Sequence, residues 1–272
     1  MQFAHEGSQE VHASLQKQTI DISIQTLSNS APALLDLAMP DRPLVGDNET
    51  QELFMPPIEL FVAQLCPYAH RVRLALAEKG LQATEIEIDL RNKPAWFLKL
   101  TPTGKVPLLR HQGQYVRESS IICEYLDDAF PERPIFPRDA QARAEARIWI
   151  SFADTQLYAR TATMMHTSDA MVHKRIKAQL ADDLRFVEQH AFALRGADER
   201  FLLGSEFSAA DIAFYPWFEQ LCVLEKYLGF VMPTECERLL RWQETVAARE
   251  AVRTCARSPG FYLESYGPLL AA

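Results

Sequence analysis

Apolar and polar positions alternate in registers that change along the chain. Before residue 58 no period holds for long. Residues 19–27 (TIDISIQTL) alternate like a short strand and 31–40 (APALLDLAMP) suit a short helix, in a setting rich in Ser, Gln, Asp and Pro. Residues 1–57 therefore read as an N-terminal extension, loosely packed or partly disordered. From Ile58 the pattern sharpens. Residues 58–65 (IELFVAQL) make a mostly apolar strand bounded by Pro56-Pro57. Residues 68–80 carry Val72, Ala75, Leu76 and Lys79 at helical spacing, with Gly80 placed to end the helix. Residues 84–90 (TEIEIDL) alternate as a half-buried strand. Residues 105–111 and 114–119 flank Gln112-Gly113 as a tight hairpin, and 119–130 form an amphipathic helix stopped by Pro131. Strand–helix–strand followed by a hairpin predicts a small mixed α/β domain over 58–131, with a right-handed parallel crossover.

Residues 132–139, inside the Pro-rich stretch PERPIFPRD, read as a linker. Beyond it the strand pattern disappears. Residues 140–160, 170–194, 209–228 and 234–256 have helical periodicity, so 140–272 is predicted to be all-helical. Ser208 and Asp211 form a capping-box variant that starts the third of these helices, and Pro216 within it predicts a kink.

Composition narrows the function classes. At 272 residues and 48% hydrophobic content the chain can bury one large or two modest cores. It has no run of about 18 apolar residues, so no membrane-spanning helix is expected. Its first residues lack the basic patch and apolar core of a secretory signal, and the acids of 1–57 argue against a transit peptide. The net charge is −8, of which −6 falls on 1–57 with its eight acids and two bases. The near-neutral remainder gives no electrostatic reason to bind nucleic acid. Five widely spaced cysteines without a C-x-x-C pair argue against a disulfide framework and a metal site, and for a reducing, cytoplasmic setting.

One cysteine stands apart. Cys66 ends the first strand and Pro67 suits the first helical position, which puts the thiol at or beside the N-cap. Unpaired amides and the positive helix end favour a thiolate, and on that ground its pKa is expected below the free value of about 8.5. Position alone also allows a small buried hydrophobe filling the turn. His70, one turn on, has no further ligands nearby and reads as part of a solvated helix face.

Strand, Cys-Pro-Tyr at a helix start and Val-Pro before a hairpin are together similar to the thioredoxin/glutaredoxin-type fold. With CPYAHRVRLAL, RNKPAWFLKLTPTGKVPLL, ESSIICEYLDDAFPE and a helical second domain, the chain resembles glutathione transferases. The likeness is to the cysteine-type omega and lambda groups and their bacterial relatives, from about Ile58 to the C-terminus. It implies a thioredoxin-like α/β domain followed by an all-α domain, with glutathione bound to the first. The position of the second glutaredoxin cysteine is Ala69, so the implied chemistry is monothiol. Cys66 would be the nucleophile, forming a mixed disulfide that a second glutathione resolves.

The resemblance also assigns binding roles. Val106-Pro107 would be a cis peptide that presents the Val106 backbone to the cysteinyl unit. Ser119 would hold the γ-glutamyl carboxylate at a helix start and Glu118 would pair with the ammonium. Lys93 matches a lysine that reaches the glycyl carboxylate, with Lys105 as a weaker choice. A small hydrophobic or disulfide co-substrate would lie between the domains against Tyr158, Met164, Met165, Phe214 and Trp217. The implied activity is glutathione-dependent thiol transfer, deglutathionylation or dehydroascorbate reduction. Cleavage of glutathionyl-hydroquinones or thioethers is the alternative enzyme, and non-catalytic ligand binding the alternative class. A homodimer is typical of the family.

Overall fold

The computed structural model describes residues 58–192 and 200–270. The short strand at 19–27, the short helix at 31–40 and the rest of the extension lie outside the described residues.

Alternation along β1 (Ile58–Val62) organises the first domain. Ile58, Leu60 and Val62 join one core with Val72, Leu76 and Leu126, while Phe61 joins a smaller core with Ile88, Phe97 and Leu108. A strand apolar on both faces belongs in the middle of a covered sheet. The strand order β2-β1-β3-β4 places it there. The chain leaves β1 through α1 (Pro67–Lys79) and returns as β2 (Ala83–Glu87), parallel to β1 with Leu60 opposite Glu85. Gly80 closes α1 at φ 68°, a left-handed conformation that suits glycine. β3 (Leu108–His111) runs antiparallel to β1, Leu60 facing Leu109, and β4 (Gln114–Arg117) pairs outside it. Gln112 and Gly113 between them both have positive φ, 51° and 76°, which matches the twist a two-residue hairpin requires. The short α2 (Ala95–Leu100) covers the smaller core with Phe97, whose full burial contributes about 1.5–3 kcal/mol. α3 (Ser119–Ala129) packs beside α1 against the larger core.

From Ala129 to Ala140 the chain has no helix or strand. It is tied down where the Asp127 carboxylate accepts from the Ile135 N–H (2.7 Å). α4 (Ala140–Phe152) then passes into a π-helical turn (Ala153–Tyr158) and on into α5 (Ala159–Met165). α6 (Ala170–His190) is the longest described helix, and residues 193–194 of the helix expected there lie outside the described residues. The helix expected over 209–228 is two. α7 (Ala209–Glu219) runs through Pro216, and the interruption falls at Gln220, before α8 (Leu221–Leu228). Residues 234–256 likewise divide into α9 (Glu237–Ala247) and α10 (Glu250–Cys255). A further helix, α11 (Pro259–Leu270), forms where Gly260, Gly267 and Pro268 blur the helical pattern. Tertiary contacts outweigh propensity there: the Tyr262 hydroxyl donates to Glu219 (2.6 Å) and the Tyr266 hydroxyl to the Leu65 carbonyl (3.2 Å).

Candidate active site

Cys66 is the N-cap of α1, in extended conformation (φ −76°, ψ 111°), with Pro67 at the first helical position. Its amide donates to the Ala63 carbonyl and its own carbonyl accepts from His70, so the backbone around the thiol is fixed on both sides. The thiol is half-buried and donates to the Val106 carbonyl, 3.7 Å away. Val106-Pro107 is a cis peptide.

The expected drop in the Cys66 pKa is not what this arrangement gives. Burial pushes the thiol above its ordinary value, and the amides of Ala69 and Tyr68, then Arg73 and Arg71, only partly oppose that. The reason is that α1 starts inside the protein, so desolvation outweighs the helix end. The hydrogen bond to Val106 also uses the thiol proton, which a thiolate lacks.

Beside the thiol lies a cavity of about 260 Å³ whose walls include Val106, Pro107, Glu118 and Ser119. Four of the five expected glutathione contacts therefore share one wall system, and Lys105 and Arg117 join them. Lys93 is not on that wall. Its Nζ lies 3.7 Å from where a Cβ on Gly104 would stand. Glu118 is the N-cap of α3 at φ 65°, ψ 121°, a conformation that strains a side chain bearing a Cβ. Its carboxylate makes no hydrogen bond among the described residues. A larger hollow of about 600 Å³ lies between residues 134–138 and 203–208, away from these residues.

The proposed co-substrate wall is mostly core. Met164 and Phe214 have no exposed surface, and Tyr158 and Trp217 are buried. Phe214 stacks on Phe152, Trp217 Nε1 donates to Thr161 (2.9 Å) and the Tyr158 hydroxyl donates to the Ala213 carbonyl (3.1 Å). These contacts leave those four nothing to offer a ligand; Met165 alone of the five is half-exposed. His70 also departs from expectation. It is buried at 3% exposure instead of lying on a solvated face, and its Nε2 meets Glu219 at 3.3 Å. Glu219 also accepts from Tyr262 and from the Arg257 amide. Burial alone would raise its pKa, but these partners, His70 first, hold it below the usual carboxylate range.

Three residues to which the sequence reading gave no role border the cavity. Tyr68 lines it, with its ring 5.0 Å from that of Tyr158. Asp154, from the π-turn of the helical domain, lines it opposite the sheet domain. Beneath both lies Arg71, 1% exposed, which donates to the Asp154 carboxylate (2.6 Å), the Ser119 hydroxyl (3.4 Å) and the Ala213 carbonyl (3.0 Å). The guanidinium carbon sits 4.5 Å from the Tyr158 ring centroid and 5.0 Å from that of Tyr68. One of its nitrogens, Nη2, is buried without a hydrogen-bond partner among the described residues.

Comparison with known proteins adds the following. Family models for the glutathione S-transferase N-terminal and C-terminal domains match residues 65–129 and 169–244. The chain is 34% identical over 203 residues to human glutathione S-transferase omega-2, covering 70% of this chain and 79% of that protein. It is 33% identical over 190 residues to glutathione S-transferase U25 of Arabidopsis thaliana, covering 68% and 82%. Among solved structures, rice GST1 in complex with glutathione superposes with a TM-score of 0.71 at 29% identity, covering 80% of this chain and 97% of that one.

Proposed function

Because the chain belongs to the glutathione S-transferase family and is similar to its omega-type members, we propose that it is a glutathione-dependent thiol transferase with Cys66 as nucleophile. The observation that carries this reading is the placement of the thiol: at the N-cap of α1, 3.7 Å from the Val106 carbonyl, with Ala69 where a resolving cysteine would stand. The chemistry follows from that. The Cys66 thiolate attacks the glutathione sulfur of a mixed disulfide, the S–S bond breaks and the other thiol leaves, taking a proton. A second glutathione thiolate then attacks the protein-bound glutathione sulfur, releasing oxidised glutathione and the Cys66 thiolate. The sum balances: the mixed disulfide and one glutathione give one free thiol and oxidised glutathione, a two-electron exchange between disulfides.

The cavity suits the ligand. Glutathione carries two carboxylates, one ammonium and a peptide-like middle. Ser119 and Arg117 can meet a carboxylate, Glu118 the ammonium, Lys105 or Lys93 the glycyl end and the Val106 backbone the peptide. A glutathione peptide N–H on the Val106 carbonyl would take the acceptor that now holds the thiol proton. Losing that bond favours the thiolate, so binding itself activates Cys66.

The decisive assay is glutathione-dependent reduction of hydroxyethyl disulfide by wild type and Cys66→Ser, with dehydroascorbate and a glutathionyl-hydroquinone as further substrates. Cys66→Ser should lose at least about a hundredfold in rate. Equal rates would remove Cys66 from the mechanism, and no rate in either protein would leave a glutathione-binding protein without turnover. Five free cysteines fit a reducing compartment. A homodimer, typical of the family, belongs to the same proposal; a monomer in sedimentation would remove it.

A further inference from the structure

We propose that Gln220 and Tyr266, from the helical domain, are positioning residues that aim the Cys66 thiol by holding the peptide unit in front of it. The inference rests on the reading of Cys66 as nucleophile and extends it to two residues that are not on the walls of the glutathione cavity.

Between β1 and α1 the chain makes a tight turn over residues 63–66, closed where the Cys66 N–H donates to the Ala63 carbonyl (3.1 Å). A nucleophile on the last residue of a turn is only as well aimed as the backbone beneath it. Two dihedral angles set that aim, and each is fixed by different means. Pro67 disfavours the helical region for the residue before it, and ψ of Cys66 is 111°, extended. The angle φ turns Cys66 against the Leu65–Cys66 peptide plane, so with α1 packed in the core it follows that plane. The N–H of this peptide unit closes the turn, and its carbonyl accepts from Gln220 Nε2 (3.3 Å) and the Tyr266 hydroxyl (3.2 Å). A peptide held at both ends cannot rotate without losing bonds at each.

The two side chains also hold each other. The Tyr266 hydroxyl lies 3.0 Å from Gln220 Oε1, so its single proton faces two acceptors and the three groups form a closed triangle. Gln220 is the residue at which α7 gives way to α8, and it is 6% exposed. A buried amide must find partners, and this one finds them on the Cys66 turn and on Tyr266. The turn is gripped from its other side as well. Glu87 on β2 accepts from the Gln64 N–H (3.0 Å) and Nε2 (2.9 Å), and Arg257 donates to Gln64 Oε1 (2.7 Å). Outer-shell bonds of this kind hold a reacting group to the fraction of an ångström that its attack geometry needs. Anchoring of α11 is a separate matter, since Tyr262 on the same helix bonds Glu219 and not the turn.

The test uses the full chain: hydroxyethyl disulfide reduction gives kcat, and titration calorimetry gives the Kd of S-methylglutathione. Tyr266→Phe should lower kcat about fivefold, and Tyr266→Phe with Gln220→Met about a hundredfold, while Kd moves less than about twofold. Iodoacetamide capture of Cys66, followed by mass spectrometry, should not slow, because a small reagent needs no fixed approach. Tyr262→Phe removes a hydroxyl from the same helix away from the turn and should keep kcat within about twofold. Equal loss of kcat in Tyr262→Phe and Tyr266→Phe would leave Tyr266 the anchoring of α11 only and overturn the inference. Wild-type kcat in the double variant would overturn it too, as would a matching loss of S-methylglutathione affinity or slower capture of the thiol. Those outcomes spare the glutathione reading, whereas a wild type without turnover would end both. Should the double variant not fold, Tyr266→Phe with Gln220→Glu, which keeps the side-chain size and loses the donor, is read by the same comparison.

Discussion

At Cys66 two local effects oppose each other, and surroundings drawn from the whole chain decide between them. The N-cap position was legible because Pro67 fixes where the helix starts and an apolar strand precedes it. The direction of the pKa shift was not legible, because the burial comes from distant residues such as Tyr266, whose hydroxyl reaches the Leu65 carbonyl across 201 positions. His70 departs from a solvated helix face for the same reason, its partner Glu219 lying 149 positions away. A thiol whose folded pKa is raised stays protonated to higher pH, so its reactivity appears late in a titration. Alkylation of Cys66 by iodoacetamide in the ligand-free protein should inflect above about pH 8.5. An inflection near pH 6 or 7 would mean that the helix end outweighs burial after all.

Single elements show how far short-range signals carry. Ser208 and Asp211 announced the start of α7 by spacing alone, and the box forms: Ser208 N–H donates to Asp211 (2.8 Å) while the Ser208 hydroxyl accepts from Ala210 N–H (3.3 Å). Spacing could not show that the Asp211 carboxylate also accepts from Leu202 N–H (2.9 Å) and Trp242 Nε1 (2.7 Å). This buried carboxylate joins α7, α9 and the 200–208 segment. Asparagine cannot accept every one of these bonds and turns an NH2 toward donors. Asp211→Asn should therefore lower unfolding free energy by about 3 kcal/mol in urea titrations. A loss below about 1 kcal/mol would show that the helix cap, and not the wider network, is what matters. The opposite failure was α11, where glycine and proline hid a helix that Tyr262 and Tyr266 hold in place.

At the scale of the molecule α1 belongs to both domains. Its N-cap carries the thiol, Arg71 meets Asp154, His70 meets Glu219, and Glu78 holds Arg249 through two bonds of 2.7 Å. Arg249 also lies 4.2 Å from the Phe207 ring centroid. The order of strands and helices revealed two domain types, but not this interlock, since Glu78 and Arg249 stand 171 positions apart. Domains joined in this way should melt together. Tryptophan fluorescence, dominated by buried Trp149, Trp217 and Trp242 in the helices, should superpose in urea on exposure of buried Cys123, on α3, to a thiol reagent. Two separated transitions would show that α1 leaves the helices before it leaves the sheet. Among the described residues no helix is long and apolar enough to cross a membrane.

Glu118 holds its carboxylate on a backbone that glycine adopts freely and other residues adopt at a cost of about 1–3 kcal/mol. Selection for robustness and selection for catalysis therefore pull this position in opposite directions. A library ranked by heat resistance alone should accumulate Glu118→Gly, gaining stability and losing glutathione affinity. The same library ranked by turnover should keep the glutamate, which marks this position as a place where evolvability is limited by backbone shape.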